Sequence, residues 1–331
     1  MAIREGGETR PDALFAVIDL ETTGFSPLVG DRIIEVAVIQ VAADGSRANE
    51  YVTLVNPQRD VGAAYIHGIA QQDVDAAPTF DEIAGDVLSR VEALILVGHN
   101  VRYDLDFLGA ELSAAGLFLP AVPSLCTLKL GYRLHPTLAN HKLATCCAAA
   151  GLSQAGVHEA FEDASSTAQL LSVYIREAQA AGMTMQDLLG GEVVFPTFWP
   201  SLPSSNQQAQ RVISRIQIAV PYLARVVASI GSIHADEEVA PYMDLLERAM
   251  ADLQITQDEA EALRITAEQW GLTREQVVGA HHEFLRALVI AALADGKVTA
   301  TERRDLDAAA TLLALGPGIV DAYLYEESET V

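Results

Sequence analysis

Asp19 and Glu21 stand two residues apart at the end of an apolar run, Leu14–Leu20, and lead straight into Thr22-Thr23-Gly24-Phe25. In a strand, residues i and i+2 share a face, so both carboxylates point the same way. Two adjacent acids repel unless a cation sits between them, so the spacing suits a divalent metal, although a solvated face also produces it. A second segment, Gly98-His99-Asn100-Val101-Arg102-Tyr103-Asp104, runs from an apolar strand into a helix with Asp104 near its start. An acid there compensates the helix dipole whatever else it does. The third segment is His158-Glu159-Ala160-Phe161-Glu162-Asp163, followed by a helical apolar face at Ala168, Leu171 and Ile175. Taken singly, each segment has an ordinary structural reading.

The elements that must position these residues alternate between strand and helix. Strands are expected at Leu14–Leu20, Arg32–Ala42, Tyr51–Val55 and Ala93–Val97. A helix is expected from about Asp81, where Pro78 precedes a Thr79-x-x-Glu82 capping box. Further helical periods cover Asp104–Ala115, Asn140–Ala150 and His158–Ala181. This pattern implies an α/β layer domain around one sheet. Gly190–Ser205, rich in Pro and Ser, reads as an ordered linker, because Phe195, Phe198 and Trp199 would be costly to leave in water. Beyond it every period is helical: Arg211–Ile230, Val239–Leu253, Gln257–Trp270, Arg274–Ala294 and Ala300–Leu315. Asp252 to Glu259 repeats at Asp295 to Glu302, each copy with an apolar residue before a Thr-x-x-Glu box. The repeat reads as two helix–turn–helix units, or, in a sharper form, as Asp252 and Asp295 contributing to a metal site; the alternating acids of a calcium loop are absent.

In order and spacing, the three acidic segments resemble the motifs of the DEDDh 3′→5′ exonuclease family, to which the proofreading epsilon subunit of bacterial DNA polymerase III belongs. The resemblance covers about residues 12–180. It includes Ile66-His67-Gly68-Ile69 with Asp73-Val74, Ala77-Pro78 and Phe80, and Leu143-Ala-Thr-Cys-Cys before the last motif. Ala70 and Arg102 depart from it, and neither touches the acids or the histidine. The resemblance implies a ribonuclease-H-like fold in which Asp19, Glu21, Asp104 and Asp163 are catalytic residues that hold two divalent cations, Mg²⁺ or Mn²⁺. It makes His158 the general base, a task suited to an imidazole pKa of about 6.5. Thr22, Thr23, Gly24, Phe25, His67, Ile69 and Asn100 match substrate-binding positions. For Ile69 the alternative is ordinary core, and for Phe25 it is closure of the sheet edge. The C-terminal repeat resembles helical TerB-like domains over about residues 235–316.

Composition limits the partners. The 331 residues are 50% apolar and carry a net charge of −24, with −13 over residues 1–190 and −11 over 191–331. Neither half is a basic module that coats long nucleic acid by counterion release. No apolar run is long enough to cross a membrane, and the N-terminus shows no signal-peptide pattern. Three cysteines do not make a disulfide framework, so a cytoplasmic protein with reduced thiols is expected. The expected organisation is an exonuclease domain at 1–185, a Pro/Ser-rich linker at 186–210 and an all-α TerB-like domain at 211–331. The expected activity is trimming of single-stranded DNA from its 3′ end to nucleoside 5′-monophosphates, in proofreading or repair, with a DNA polymerase or other replication or repair protein as a candidate partner. The alternatives are a 3′→5′ exoribonuclease or oligoribonuclease and, in a different class, a non-catalytic interaction scaffold.

Overall fold

The computed structural model describes residues 13–153, 159–190, 194–211, 236–294 and 296–328. They group into two compact units. The first contains described residues 13–23, 32–136, 142–153, 159–190 and 194–211; the second contains 24–31, 137–141, 236–294 and 296–328.

The described residues of the first unit form five strands: β1 (Ala13–Thr22), β2 (Ile33–Ala42), β3 (Arg47–Leu54), β4 (Ile95–Gly98) and β5 (Ser124–Cys126). They form one mixed sheet in the order β3-β2-β1-β4-β5. The β1–β2 and β2–β3 pairs are antiparallel, while β4 lies parallel to β1 and to β5. Because β1 is central and covered on both faces, Phe15, Ala16, Val17 and Ile18 are all buried, which explains an unbroken apolar run in place of alternation. β2 is apolar for the same reason, with the acid Glu35 inside its run. In β3 only the second half is buried.

Helices close both faces. α1 (Ala64–His67) and α2 (Gln71–Val74) are single turns that follow β3. α3 (Phe80–Val91) starts at the expected capping box, with Thr79 N–H donating to Glu82 Oε2 over 2.9 Å. α4 (Val101–Ala114) starts three residues before the sequence expectation, because Asn100 takes a left-handed turn (φ 77°, ψ 47°) directly after β4. Ile83, Val87, Leu88, Phe107, Leu108 and Leu112 of these two helices pack on Ile18, Leu20, Val36 and Val38. The strand β5, only three residues long, and α5 (Thr127–Leu134) after it are elements the sequence reading does not place, although α5 is amphipathic and buries Thr127, Leu128, Leu130 and Gly131. α6 (Leu143–Ala149), α7 (Ala160–Ala180) and α8 (Met185–Leu189) complete the unit, and α7 packs along β1 and β2.

The described helices of the second unit are α9 (Ala240–Ala249), α10 (Gln257–Gln269), α11 (Arg274–Ala292), α12 (Ala300–Leu312) and α13 (Ile319–Ser328). Leu246, Met250, Phe284, Leu285, Val289 and Ala309 form the centre of their core. Both repeat boxes close reciprocally: Thr256 and Thr299 N–H donate to Glu259 and Glu302 carboxylates, and the N–H of each Glu donates back to the hydroxyl. Ile255 and Val298 pack against the core beneath, as hydrophobic staples do. The Asp252 carboxylate accepts from Gln254 N–H in a local turn, and Asp295 lies outside the described residues. So does nearly all of the expected Arg211–Ile230 helix. Among the described residues, no helix is long and apolar enough to cross a membrane.

Candidate active site

Along β1, Ile18 and Leu20 are committed to the core beneath α3 and α4. By the two-residue period of a strand, Asp19 and Glu21 therefore face the opposite side, where α7 packs. Asp163 lies in the first turn of α7. Carboxylate oxygens of Asp19, Glu21 and Asp163 all lie within 4.8 Å of one another. Asp104 approaches from the adjoining parallel strand, since β4 ends at Gly98 and α4 carries Asp104 in its first turn, 5% exposed. Space there is tight: a Cβ on Gly98 would sit 2.9 Å from Asp104 Oδ2 and 3.0 Å from Val101 Cα, so glycine is needed.

The electrostatics follow from this crowding. Burial, then the charges of Asp104, Asp163, Glu21 and Glu35, push the Asp19 carboxyl well above the usual carboxylate range. A group so surrounded favours either a proton or a cation. The donors are hard carboxylate oxygens, which fit Mg²⁺ or Mn²⁺ better than a soft metal. Asp19, Glu21 and Asp163 are the residues that would hold such an ion, with Asp104 beside them.

Neighbouring groups fix the frame. The Thr22 hydroxyl and the Tyr103 phenol share a hydrogen bond of 2.6 Å that ties the end of β1 to α4. Thr23 N–H donates to Arg32 O, and its hydroxyl accepts from Arg32 N–H. The Arg32 guanidinium in turn makes a bidentate pair with buried Glu111. His99 Nδ1 lies 3.0 Å from the Thr127 hydroxyl, which also donates to Gly98 O and holds the end of β4.

The remaining sequence candidates fall as follows. His67 is buried, with Nδ1 accepting from Ile69 N–H and Nε2 donating to Val61 O. Ile69 is 1% exposed, in a small cluster with Ile34, Leu54, Val61 and Val74. Asn100 caps α4 with its backbone, and its Oδ1 is buried without a hydrogen-bond partner. Gly24 and Phe25 belong to a loop of the second unit, where a Cβ on Gly24 would collide with the Asp31 carboxylate. His158 lies outside the described residues. Cys146 and Cys147 are buried, and burial, Cys146 and Asp163 push the Cys147 thiol up to about 11, so it is not poised as a nucleophile.

Acidic side chains gathered beside the central strand of a mixed sheet, with helices on both faces, match the ribonuclease-H-like exonuclease fold. The RNase T exonuclease family matches residues 16–171, so that segment is an exonuclease domain. A DNA polymerase III PolC-type protein of Halalkalibacterium halodurans is 29% identical over 195 residues, 58% of this chain and 14% of that protein. The 3′-5′ exonuclease DinG of Bacillus subtilis is 33% identical over 155 residues, 46% of this chain and 16% of that protein. Among solved structures, exonuclease X in complex with 5′ overhanging duplex DNA is similar at a TM-score of 0.42 and 25% identity, over 54% of this chain and 98% of that one. The chain thus spans about a seventh of the length of the curated relatives it matches.

Sequence reasoning missed three residues that shape the site: Tyr103, Glu35 and Arg211. Glu35 left a readable signal, since an acid within a fully buried apolar strand requires a partner. Arg211 left none, because its partner is 176 residues away.

Proposed function

We propose that the chain is a metal-dependent 3′→5′ exonuclease that trims single-stranded DNA and releases nucleoside 5′-monophosphates, in proofreading or repair. The observation that carries this reading is the convergence of Asp19, Glu21 and Asp163 within 4.8 Å, with buried Asp104 beside them. Four carboxylates without a cation are electrostatically unfavourable, and two divalent cations balance them. Such ions, when bound, stabilise the attacking and leaving oxygens of a phosphodiester displacement. The protein's part is to hold the carboxylates in fixed directions and to take a proton from the attacking water. The family resemblance assigns that proton to His158. Thr22, Thr23, His67 and Asn100 are proposed to hold the terminal nucleotide, and Ile69, 1% exposed, takes its alternative reading as ordinary core. The DinG relative, a 3′-5′ exonuclease, supports the 3′→5′ direction, and the PolC-type relatives support a role with a DNA polymerase. An acidic chain favours a short end held in a cleft over a long duplex. We further propose that residues 211–331 form an all-helical, TerB-like interaction domain joined to the exonuclease domain by the segment at 186–210.

The test is a time course on two 5′-labelled single-stranded oligonucleotides of one sequence, DNA and RNA, with Mg²⁺, Mn²⁺ or chelator and with an Asp19→Ala control. A metal-dependent ladder from the 3′ end, faster on DNA and lost in Asp19→Ala, is expected. A faster ladder on RNA would replace the DNA reading with the exoribonuclease one. No ladder on either, from folded protein, would leave the interaction scaffold.

A further inference from the structure

Residues 199–211 run as a strap over the first unit and end in a guanidinium beside the carboxylates; Trp199 packs on the core as expected, whereas Phe195 and Phe198 before it are exposed, against the expectation from sequence. Ala209 O accepts from Leu54 N–H over 2.8 Å, and Ala209 N–H donates to the Thr53 hydroxyl over 2.9 Å, which aligns the strap with the end of β3. Two residues on, Arg211 grips Glu35 with both arms, Nε to Oε1 at 2.8 Å and Nη2 to Oε2 at 2.6 Å. Its third nitrogen, Nη1, donates to His67 O at 2.7 Å. Glu35 is 2% exposed and stands opposite Glu21 in the β1–β2 register. Its Oε2 also accepts from Ala160 N–H at 3.0 Å, the first residue of α7. Asp163 follows three residues later and His158 precedes by two.

The geometry points to Arg211 as a positioning residue of the active site, supplied from beyond the segment that the exonuclease family matches. One guanidinium links three parts: β2 through Glu35, the start of α7 through the Glu35–Ala160 bond, and the turn at His67 through its carbonyl. It also neutralises a carboxylate whose field falls on Asp19. With Arg211 gone, Glu35 is a buried anion without its partner, beside Glu21 and Asp19. Such a carboxylate rotates or competes for cations, and either outcome moves the start of α7. This inference rests on the exonuclease reading above, but the contacts it depends on do not.

The experiment compares the full-length protein with Arg211→Gln, Glu35→Gln and the double variant. kcat and KM are measured on a labelled oligonucleotide across a Mg²⁺ titration, and amide exchange is followed in metal-free protein. Arg211→Gln is expected to lower kcat about 10²-fold, the scale of misplacement by about 1 Å, with little change in KM. Exchange in 62–69 and 159–167 should rise together while that of β1 and β2 stays unchanged. Glu35→Gln removes the unpaired charge and keeps an oxygen for Ala160 N–H, so the double variant should recover most of the lost kcat. Wild-type kcat and exchange in Arg211→Gln would overturn the proposal. So would a loss that Glu35→Gln does not relieve and that comes with raised exchange throughout the sheet, since that describes a general support and not a positioning residue. Should the wild type degrade neither oligonucleotide, the exonuclease reading fails, and the paired exchange of 62–69 and 159–167 still decides the role of Arg211.

Discussion

Replacing Asp86 should release the strap without unfolding the domain it crosses. Asp86 lies in the middle of α3 with its side chain fully buried, yet it faces the strap and not the sheet core. Oδ1 accepts from the Ser204 hydroxyl, and Oδ2 accepts from Ser205 N–H at 2.8 Å, the Ser205 hydroxyl at 2.8 Å and Asn206 N–H at 3.2 Å. Arg90 lies 3.5 Å away on the next turn. The approach is close enough that a Cβ on neighbouring Gly85 would meet Pro203 O at 2.2 Å. Four bonds to a charged acceptor at about 1.5–3 kcal/mol each would sum to more than the strap can lose, because water replaces every donor once it lifts. Removing one partner of a buried charged network costs about 3–5 kcal/mol, and that is the expected loss of docking free energy in Asp86→Ala. At about 1.4 kcal/mol per decade, opening of the strap rises by roughly two to three and a half decades. Native-state amide exchange at residues 204–209 reads this directly, while exchange in the centre of β1 should not change. Burial alone would raise the Asp86 carboxyl, but Ser204, Ser205 and Arg90 outweigh it and hold the carboxyl below the usual range. A depressed folded pKa makes the contribution complete above the unfolded value of about 3.9 and lost as pH falls through the folded one. The wild-type strap should therefore loosen at strongly acid pH, and Asp86→Asn should show no such step. Wild-type exchange at 204–209 in Asp86→Ala would refute the reasoning, and so would equal acceleration in β1.

Gly98→Ala should cost about 1–3 kcal/mol in urea unfolding, since its Cβ overlaps Asp104 Oδ2, and should lower nuclease kcat about tenfold or more by moving that carboxylate. Asp19→Asn should raise the Tm of metal-free protein by about 2–4 °C, the effect of roughly 1 kcal/mol of relieved repulsion, and abolish the rise in Tm on adding Mg²⁺; unchanged Mg²⁺ stabilisation would count against the carboxylate set. In the second unit, His281 donates from Nδ1 to Leu313 O at 2.9 Å and pairs with the Tyr242 hydroxyl at 2.8 Å, and burial lowers its pKa. A histidine held neutral binds fewer protons folded than unfolded, so stability of this unit should fall as pH drops below about 6.5, a slope that urea titrations at several pH values should lose in His281→Gln.

Much of the first unit was legible because burial on both faces writes long apolar runs, so β1 and β2 stood out, as did α3 with its capping box, whereas α8 begins at a Thr184–Asp187 box that the sequence reading does not use. β5 was not legible, because three residues beside a parallel neighbour carry no period of their own. The start of α4 carries no sequence signal, because the left-handed turn at Asn100 opens the helix without a side-chain cap. In the site, Asp19, Glu21, Asp104 and Asp163 each sit in a segment with an ordinary structural reading, and they stood out through the resemblance of the three segments, in order and spacing, to one family. The Thr22–Tyr103 bond and the Glu35–Arg211 pair could not be read from sequence, since they join residues 81 and 176 positions apart and depend on how the chain returns.

Charge balance joins the carboxylates to the strap. Asp104, Asp163, Glu21 and Glu35 each raise the Asp19 carboxyl, so the folded chain brings five acids into one field. Glu35 differs from the others in how its oxygens are used: Oε1 serves Arg211 Nε, and Oε2 serves both Arg211 Nη2 and Ala160 N–H. A carboxylate offers about four acceptor positions, so three donors leave it little with which to capture an ion. The guanidinium cancels its charge, and the four acids that remain match the charge of two divalent cations. Without Arg211 the site would hold one negative charge too many, and the surplus would lie opposite Glu21 and beside the start of the helix that carries Asp163. The same contact therefore sets both the charge of the cluster and the direction from which α7 enters it. On this reading, a residue of the strap belongs to the design of the site as much as the acids on β1 do.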